Sequence, residues 1–312
     1  PINISSGSCW MCDQKLFSQC ETTHVREQGK GAAHFGYTKL YGQVPGGQAE
    51  FLRVPQAHFG PIKVPENGHP DERFLYLSDV LPTAWQAVEY AAVPQGGSVA
   101  VFGLGPIGQM CTRIARVRGA GTVIGVDLVP ERLEMARRHG VDVIDANEVD
   151  DVAEAIREKT DGRGADGVID AVGMEAHGAS VAEMVQKATG MLPDAIAAKL
   201  TEKFAVDRLS ALITGIDAVR RGGTLSISGV YGGQLDPLPM MDMFDKGIQI
   251  RMGQANVKRW IDDIMPLLTK DGEDPLGTAD LATHQVPLDQ APHAYEIFQK
   301  KQDGAIKVVL KP

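Results

Sequence analysis

"VAVFGLGPIGQM" (99–110) decides the fold. Four apolar residues, Val99–Phe102, run straight into Gly103, Gly105 and Gly108, spaced G-x-G-x-x-G. The first glycine permits a tight turn, and the second lets the backbone approach a pyrophosphate. The third lets the following helix pack close to the sheet. Pro106 and Ile107 open that helix, whose positive N-terminus is where a pyrophosphate belongs. The glycine spacing alone is a weak signal, because glycine-rich turns arise often. Its context strengthens it, with a strand before, a helix after, and Asp127 placed 19 residues beyond Gly108 in "VIGVDLVPER" (123–132). A carboxylate ending the second strand accepts hydrogen bonds from the adenosine ribose hydroxyls and repels a 2′-phosphate, which reads as NAD rather than NADP. Arg132 tempers that preference: it either packs along the adenine or forms a salt bridge on the helix surface.

Outward from this loop, short apolar runs recur at Val99–Phe102, Val123–Val126, Val141–Ile144, Gly167–Ala171, Thr224–Ser228 and Ile248–Met252. Each is bounded by glycine or charge, as buried parallel strands are. Between them lie amphipathic stretches such as "PERLEMARRHG" (130–140), which starts on proline and stops on glycine. Six strands with helical crossovers predict an α/β fold, a doubly wound parallel Rossmann sheet. Val172 and Gly173, Gly229 and Val230, and Gly253 and Gln254 follow the fourth, fifth and sixth strands at the carboxyl edge, where such sheets bind ligands. Val172, Val230 and Gly253 are therefore candidate cofactor contacts, although a valine at Val172 is equally at home in the core. Residues 1–75 are rich in glycine, proline and aromatics and are expected to be irregular and mostly β, with pieces such as "AEFLRVP" (49–55). The stretch 176–208 is longer than a crossover needs and is expected to be a helical insertion.

With 312 residues, the chain is long enough for two domains. Its 31 basic and 40 acidic residues give a net charge of −9, which argues against nucleic acid or an anionic membrane as partner. There is no apolar run of 18 residues and no basic-then-apolar leader, so a cytoplasmic location is the expectation. Four cysteines, three of them in "SGSCWMCDQKLFSQC" (6–20), do not make a secreted disulfide framework. Cys9, Cys12 and Cys20 resemble a metal knuckle, yet three thiolates do not fill a tetrahedral site, and a Cys9/Cys12 redox pair is the alternative. Cys111 falls on the apolar face of the helix behind the glycine loop and reads as core. No two histidines form an H-x-x-x-H or H-E-x-x-H pair. His24 and His34 sit in the irregular region, His177 opens the insertion and His284 reads as structural.

The knuckle, "GGQAEFLRVP" (46–55), "LSDVLPTAWQAVEYA" (77–91), "VFGLGPIG" (101–108), "GADGVIDAVG" (164–173) and "VRRGGTLSISGVYGG" (219–233) together resemble the zinc-dependent medium-chain dehydrogenase/reductase superfamily. The likeness runs over the whole chain. It looks closest to the glutathione-independent formaldehyde dehydrogenases and related bacterial alcohol dehydrogenases, through the aspartate of "LSDVLPT" and the long insertion. The resemblance implies a partial GroES-like domain over 1–80, an NAD-binding domain over 81–254 and a return to the first domain over 255–312. It implies two zincs. Cys9, Cys12 and Cys20 match three of four structural ligands, and Ser6 stands where the first cysteine should be, leaving a weaker site of three thiolates and a water, or none. Asp79 matches the third protein ligand of the catalytic zinc, the other two belonging to a segment upstream of the knuckle. Taken by itself, Asp79 is also a good helix N-cap. Thr83 would reach the nicotinamide side in the family, or is simply a first-turn hydroxyl. The chain starts on Pro1 rather than methionine and is expected to be N-terminally truncated.

The function implied is NAD- and zinc-dependent oxidation of a small primary alcohol or hydrated formaldehyde, in a homodimer or homotetramer. A polyol or secondary-alcohol dehydrogenase of the same superfamily is the runner-up. For the chain as it stands, the rival is a dinucleotide-binding protein without turnover.

Overall fold

A computed structural model of the protein describes residues 1–66, 68–173, 209–231 and 238–312. The expected insertion at 176–208 and His177 lie outside the described residues. Packing divides the chain into two units, Pro1–Gln86 with Gln254–Ala294 and Lys307–Pro312, and Ala87–Gly253 with Tyr295–Ile306. The expected C-terminal return is thus interrupted, because Tyr295–Ile306 group with the second unit.

The second unit is built on six parallel strands, β1 (Ser98–Phe102), β2 (Thr122–Asp127), β3 (Asp142–Asp145), β4 (Ala165–Asp170), β5 (Val219–Ile227) and β6 (Gln249–Met252). Their spatial order is β3-β2-β1-β4-β5-β6. The chain runs one way from β1 to β3, then crosses back to lay β4 on the other side of β1. The strand order therefore reverses between β1 and β4, where a doubly wound sheet opens its ligand crevice. Continuous burial explains the unbroken apolar runs: Val99, Ala100 and Val101 of β1 are all fully buried, as are Val168 and Ile169 of β4. Helices Pro106–Val117 and Pro130–Arg138 both begin on proline, which gives up an amide that a first turn leaves unpaired anyway.

The first unit departs from the expected mostly β texture. Among the described residues, 1–75 carry only isolated bridges, Asn3 with His34, His24 with Ala32 and Phe35 with Val44, between one-turn helices. "AEFLRVP" forms no strand. A strand needs neighbours to hydrogen-bond, and this segment pairs with none among the described residues, leaving Phe51 90% exposed. Besides a small apolar cluster of Cys12, Cys20, Ala32 and Phe17, polar contacts fix the cysteine lobe. Ser18 N and Oγ both donate to Asn256 Oδ1 at 2.9 Å, and Asn256 N donates to Gln86 Oε1 at 3.0 Å. Near the C-terminus, β7 (His284–Pro287) and β8 (Val308–Lys311) form a parallel pair.

Candidate functional site

At the carboxyl edge of β1 the glycine loop is built as its spacing requires. Gly103 takes φ +83°, open to glycine but strained for other residues, and Val172 Cγ2 would lie 2.7 Å from any Cβ placed there. Val172, just beyond β4, is therefore packed onto the loop. A Cβ on Gly108 would stand 1.7 Å from Gly103 O, so this glycine is what lets the helix close against the turn. Gly105 is different: φ is −65°, and the nearest atom to a built Cβ is Arg132 Nη1 at 3.9 Å. Pro106 and Ile107 form the first turn of the helix and stay half-buried, while Cys111 behind them is fully buried. Burial alone drives the Cys111 thiol far above its usual range.

Asp127 ends β2 beside this loop. Its Oδ2 accepts from Leu104 N at 2.6 Å, and its Oδ1 accepts from Leu128 N and Val129 N at 2.7 and 2.9 Å. Three amides fix the carboxylate in place, one of them from the middle of the G-x-G. Arg132 Nη1 lies 3.8 Å from Asp127 Oδ2, with the arginine side chain largely buried. Arg132 therefore pairs with the acid itself and not with a residue on the outer helix face.

A further acid at this edge went unremarked in the sequence. Asp170 ends β4 fully buried; its Oδ1 accepts from Val172 N and Gly173 N at 2.9 and 3.2 Å, and Tyr231 Oη donates to its Oδ2 at 2.5 Å. Burial first, and then the Asp170 charge, push the Tyr231 hydroxyl well above its usual range. The Asp170 backbone carbonyl also accepts from Ser228 N and Gly229 N. Asp170 thus ties the turn after β4 to the turn after β5. Val230 between them is 76% exposed, and Gly253 beyond β6 is exposed with φ +153°. Only "D" within "VIDAVG" pointed to this residue, and nothing in its spacing separates it from an ordinary strand-end aspartate.

Asp79 and Thr83 lie in the first unit, directly before and within the helix Val80–Ala91. Thr83 Oγ1 donates to Asp79 Oδ1 at 2.8 Å. Among the described residues no backbone amide donates to this carboxylate, and Pro82, at the third helical position, has no N–H to offer. The half-buried Asp79 charge acts on two bases distant in sequence. Burial lowers the His34 imidazole and the Lys307 ammonium, and in both Asp79 opposes the fall. His34 is buried, stacked on Tyr41 at 4.4 Å between ring centroids, and its Nε2 lies 3.3 Å from Asn3 Nδ2. Gln254 groups with this unit too, its Nε2 donating to Tyr41 Oη at 2.5 Å.

The cysteine lobe brings Cys9, Cys12 and Cys20 together, their sulfurs all within 4.8 Å of one another. The Cys9 sulfur is 3.4 Å from that of Cys12 and 3.8 Å from that of Cys20. Zinc at about 2.3 Å from each sulfur asks for S···S edges of about 3.8 Å in a tetrahedron, so the donor set fits that metal. Burial pushes the Cys12 thiol up to about 11, with Cys9 adding to the rise. Burial also acts to raise Cys20, but hydrogen bonds from Ser6 and Thr23 outweigh it and hold this thiol at about 6. Among the described residues this is the sole group of three or more metal-ligating side chains, and it does not include Asp79.

The profile of the "Zinc-binding dehydrogenase" family (ADH_zinc_N) matches residues 106–192, from the first turn of the glycine-loop helix onward. A zinc-type alcohol dehydrogenase-like protein, AdhB of Bacillus subtilis (strain 168), is 38% identical over 314 residues, covering 100% of this chain and 78% of that protein. The glutathione-independent formaldehyde dehydrogenase of the same organism is more distant, at 29% identity over 100% of this chain and 73% of its own length. Among solved structures, alcohol dehydrogenase TADH from Thermus sp. ATN1 superposes with a TM-score of 0.78 at 30% identity, covering 100% of this chain and 76% of that one. The chain belongs to the zinc-type alcohol dehydrogenase-like family of the medium-chain dehydrogenase superfamily.

Proposed function

We propose that the protein is an NAD-linked, zinc-dependent dehydrogenase acting on a small primary alcohol or hydrated formaldehyde. The observation that carries this is the Asp127 carboxylate, pinned by Leu104 N over a glycine loop with no room for a side chain at Gly108. The Gly105 amide would face a pyrophosphate at the helix start, and Asp127, held by the Leu104 amide, would take the ribose hydroxyls. Val172 would pack on the adenosine half, and Val230 and Gly253 would line the nicotinamide half. Asp79 would supply one oxygen ligand to zinc, oriented by Thr83, and Cys9, Cys12 and Cys20 would hold a second zinc in the lobe. Zinc supplies Lewis acidity toward a substrate oxygen, and the dinucleotide supplies the hydride acceptor. Support for the substrate class comes from relatives named as alcohol and formaldehyde dehydrogenases and from the hard oxygen donor at Asp79. A homo-oligomer is favoured by the edge strand β6, where Ile250 and Met252 are exposed, as are Met240, Met241 and Phe244 of the preceding helix.

One observation favours a second reading, dinucleotide binding without turnover: among the described residues, Asp79 belongs to no group of three metal ligands. Calorimetric titration with NAD and NADP, followed by NADH formation with methanol, ethanol, formaldehyde and a polyol, separates the two. NAD binding with turnover of the small alcohols supports the first reading. Binding with no turnover supports the second, and failure to bind either dinucleotide refutes both.

A further inference from the structure

The sequence leaves the cysteine lobe one ligand short, and the structure places a side chain at the missing corner. Ser6 is 5% exposed, and its Oγ lies 3.5 Å from Cys20 Sγ and 4.0 Å from Cys12 Sγ. A tetrahedral site with three sulfurs at about 2.3 Å and one oxygen at about 2.0 Å has S···O edges of about 3.5 Å. The oxygen thus meets that edge at Cys20 and lies within about half an ångström of it at Cys12, close to where a fourth ligand belongs.

A serine hydroxyl is ordinarily a poor ligand, since it is neutral and weakly basic. Here its surroundings favour negative charge on the oxygen. Ser8 N donates to Ser6 Oγ at 3.3 Å, and Thr22 Oγ1 lies within hydrogen-bond distance at 3.1 Å as a donor. The sulfurs are cradled in the same way, by Ser6 N on Cys20 Sγ and Glu21 N on Cys9 Sγ, each at 3.3 Å. Backbone and hydroxyl donors thus converge on Ser6 Oγ and on the sulfurs of Cys9 and Cys20. Such outer partners set the orientation and basicity of metal ligands.

We propose that Ser6 Oγ is the fourth ligand of the lobe, so that it holds a thiophilic divalent cation in a three-sulfur, one-oxygen site, more exchangeable than four thiolates would be. Thr22 is a positioning residue for that oxygen. The proposal rests on the lobe being a metal site, and the test keeps the two apart. Reduced, metal-stripped protein (residues 1–312) is titrated with Zn²⁺ in competition with a chromophoric chelator. A parallel titration uses Co²⁺, whose sulfur-to-metal charge-transfer band reports thiolate ligation. Unfolding midpoints of the metal-free proteins control for folding.

Ser6→Cys is expected to tighten Zn²⁺ binding by about tenfold or more and to strengthen the charge-transfer band. Ser6→Ala and Thr22→Val are each expected to weaken it by about tenfold, the usual scale for disturbing a ligand or its partner. Thr22 is exposed, so Thr22→Val keeps the proposal testable even if Ser6→Ala fails to fold. Wild-type affinity in both Ser6→Ala and Thr22→Val, with the charge-transfer band intact, overturns ligation by Ser6 while leaving the lobe a metal site. No charge-transfer band in either the wild type or Ser6→Cys overturns the lobe as a metal site altogether.

Discussion

Two glycines of one loop give opposite forecasts, and the pair tests the dinucleotide site more sharply than either alone. A methyl group on Gly108 would stand 1.7 Å from Gly103 O, so loop or helix must shift by more than an ångström. Forced overpacking of that kind costs about 1–3 kcal/mol, and Gly108→Ala is expected to lower the urea midpoint accordingly. Gly105 has an ordinary φ of −65° and only Arg132 Nη1, at 3.9 Å, near a built Cβ. The protein itself does not need glycine there. Gly105→Ala is expected to leave stability unchanged or raise it by about 0.4–1 kcal/mol, through the stiffer unfolded chain. Yet in the proposed site Gly105 is where the backbone would approach a pyrophosphate. Displacing one hydrogen bond to a charged group costs about 1.5–3 kcal/mol. Gly105→Ala should therefore weaken dinucleotide binding by about ten- to a hundredfold. Urea unfolding followed by circular dichroism and calorimetric titration with NAD measure the two effects separately. Wild-type NAD affinity in a folded Gly105→Ala protein would refute the placement of the pyrophosphate on this loop.

Other consequences concern single side chains. Asp127→Ser should shift the NADP-to-NAD affinity ratio toward NADP by about tenfold or more, because like charges about 4 Å apart repel by about 1–4 kcal/mol; an unchanged ratio in paired titrations would remove Asp127 from the ribose site. Tyr231→Phe takes a donor from the fully buried Asp170 and should cost about 1–3 kcal/mol, read from the urea midpoint. In metal-free protein, iodoacetamide should label Cys9, half-buried with a lowered thiol pKa, well before Cys111, which should react only on unfolding; peptide mass spectrometry gives the order. Burial lowers the His34 imidazole below its usual value of about 6.5, so the unfolded chain takes up the proton first as pH falls. The stabilisation is full above about pH 6.5 and is lost on going down toward the folded value; His34→Gln should flatten the unfolding midpoint across that window, and an unaltered pH profile would count against it.

How far the sequence exposed this molecule depends on whether a feature is local. The inner strands were legible because burial on both faces demands continuous apolar runs, and the glycine loop because its three glycines fall within six residues. Asp127 was found for the same reason, standing one strand and one helix away at a fixed interval. The Asp170–Tyr231 contact was not, since 61 residues separate its partners and each alone is unremarkable. Likewise nothing in the sequence pairs Asp79 with His34 or Lys307, which feel its charge from opposite ends of the chain. The mostly β expectation for 1–75 failed on composition: glycine, proline and aromatics are as compatible with turns and isolated bridges as with strands, and a strand is settled by its neighbours.

The choice at Asp79 shows that a closer local reading was available. An N-cap carboxylate is stabilised by the amides of the second or third helical residue, and here the third is Pro82, which has none. "DVLPT" therefore offers a capping aspartate half its usual reward. The carboxylate turns to the Thr83 hydroxyl at 2.8 Å, with no backbone amide donating to it among the described residues. A side chain bound by a single hydroxyl retains acceptor capacity on its other oxygen. That spare capacity is what a metal ligand requires and what a satisfied cap lacks. Thr83→Val would free the first oxygen as well and leave the cap no weaker. If Asp79 capped the helix, Asp79→Ala would lower the unfolding midpoint by the equivalent of about 1 kcal/mol. If it is held ready for a cation, the same substitution should leave the midpoint of the metal-free protein within about 0.5 kcal/mol of wild type, and a larger loss would restore the cap.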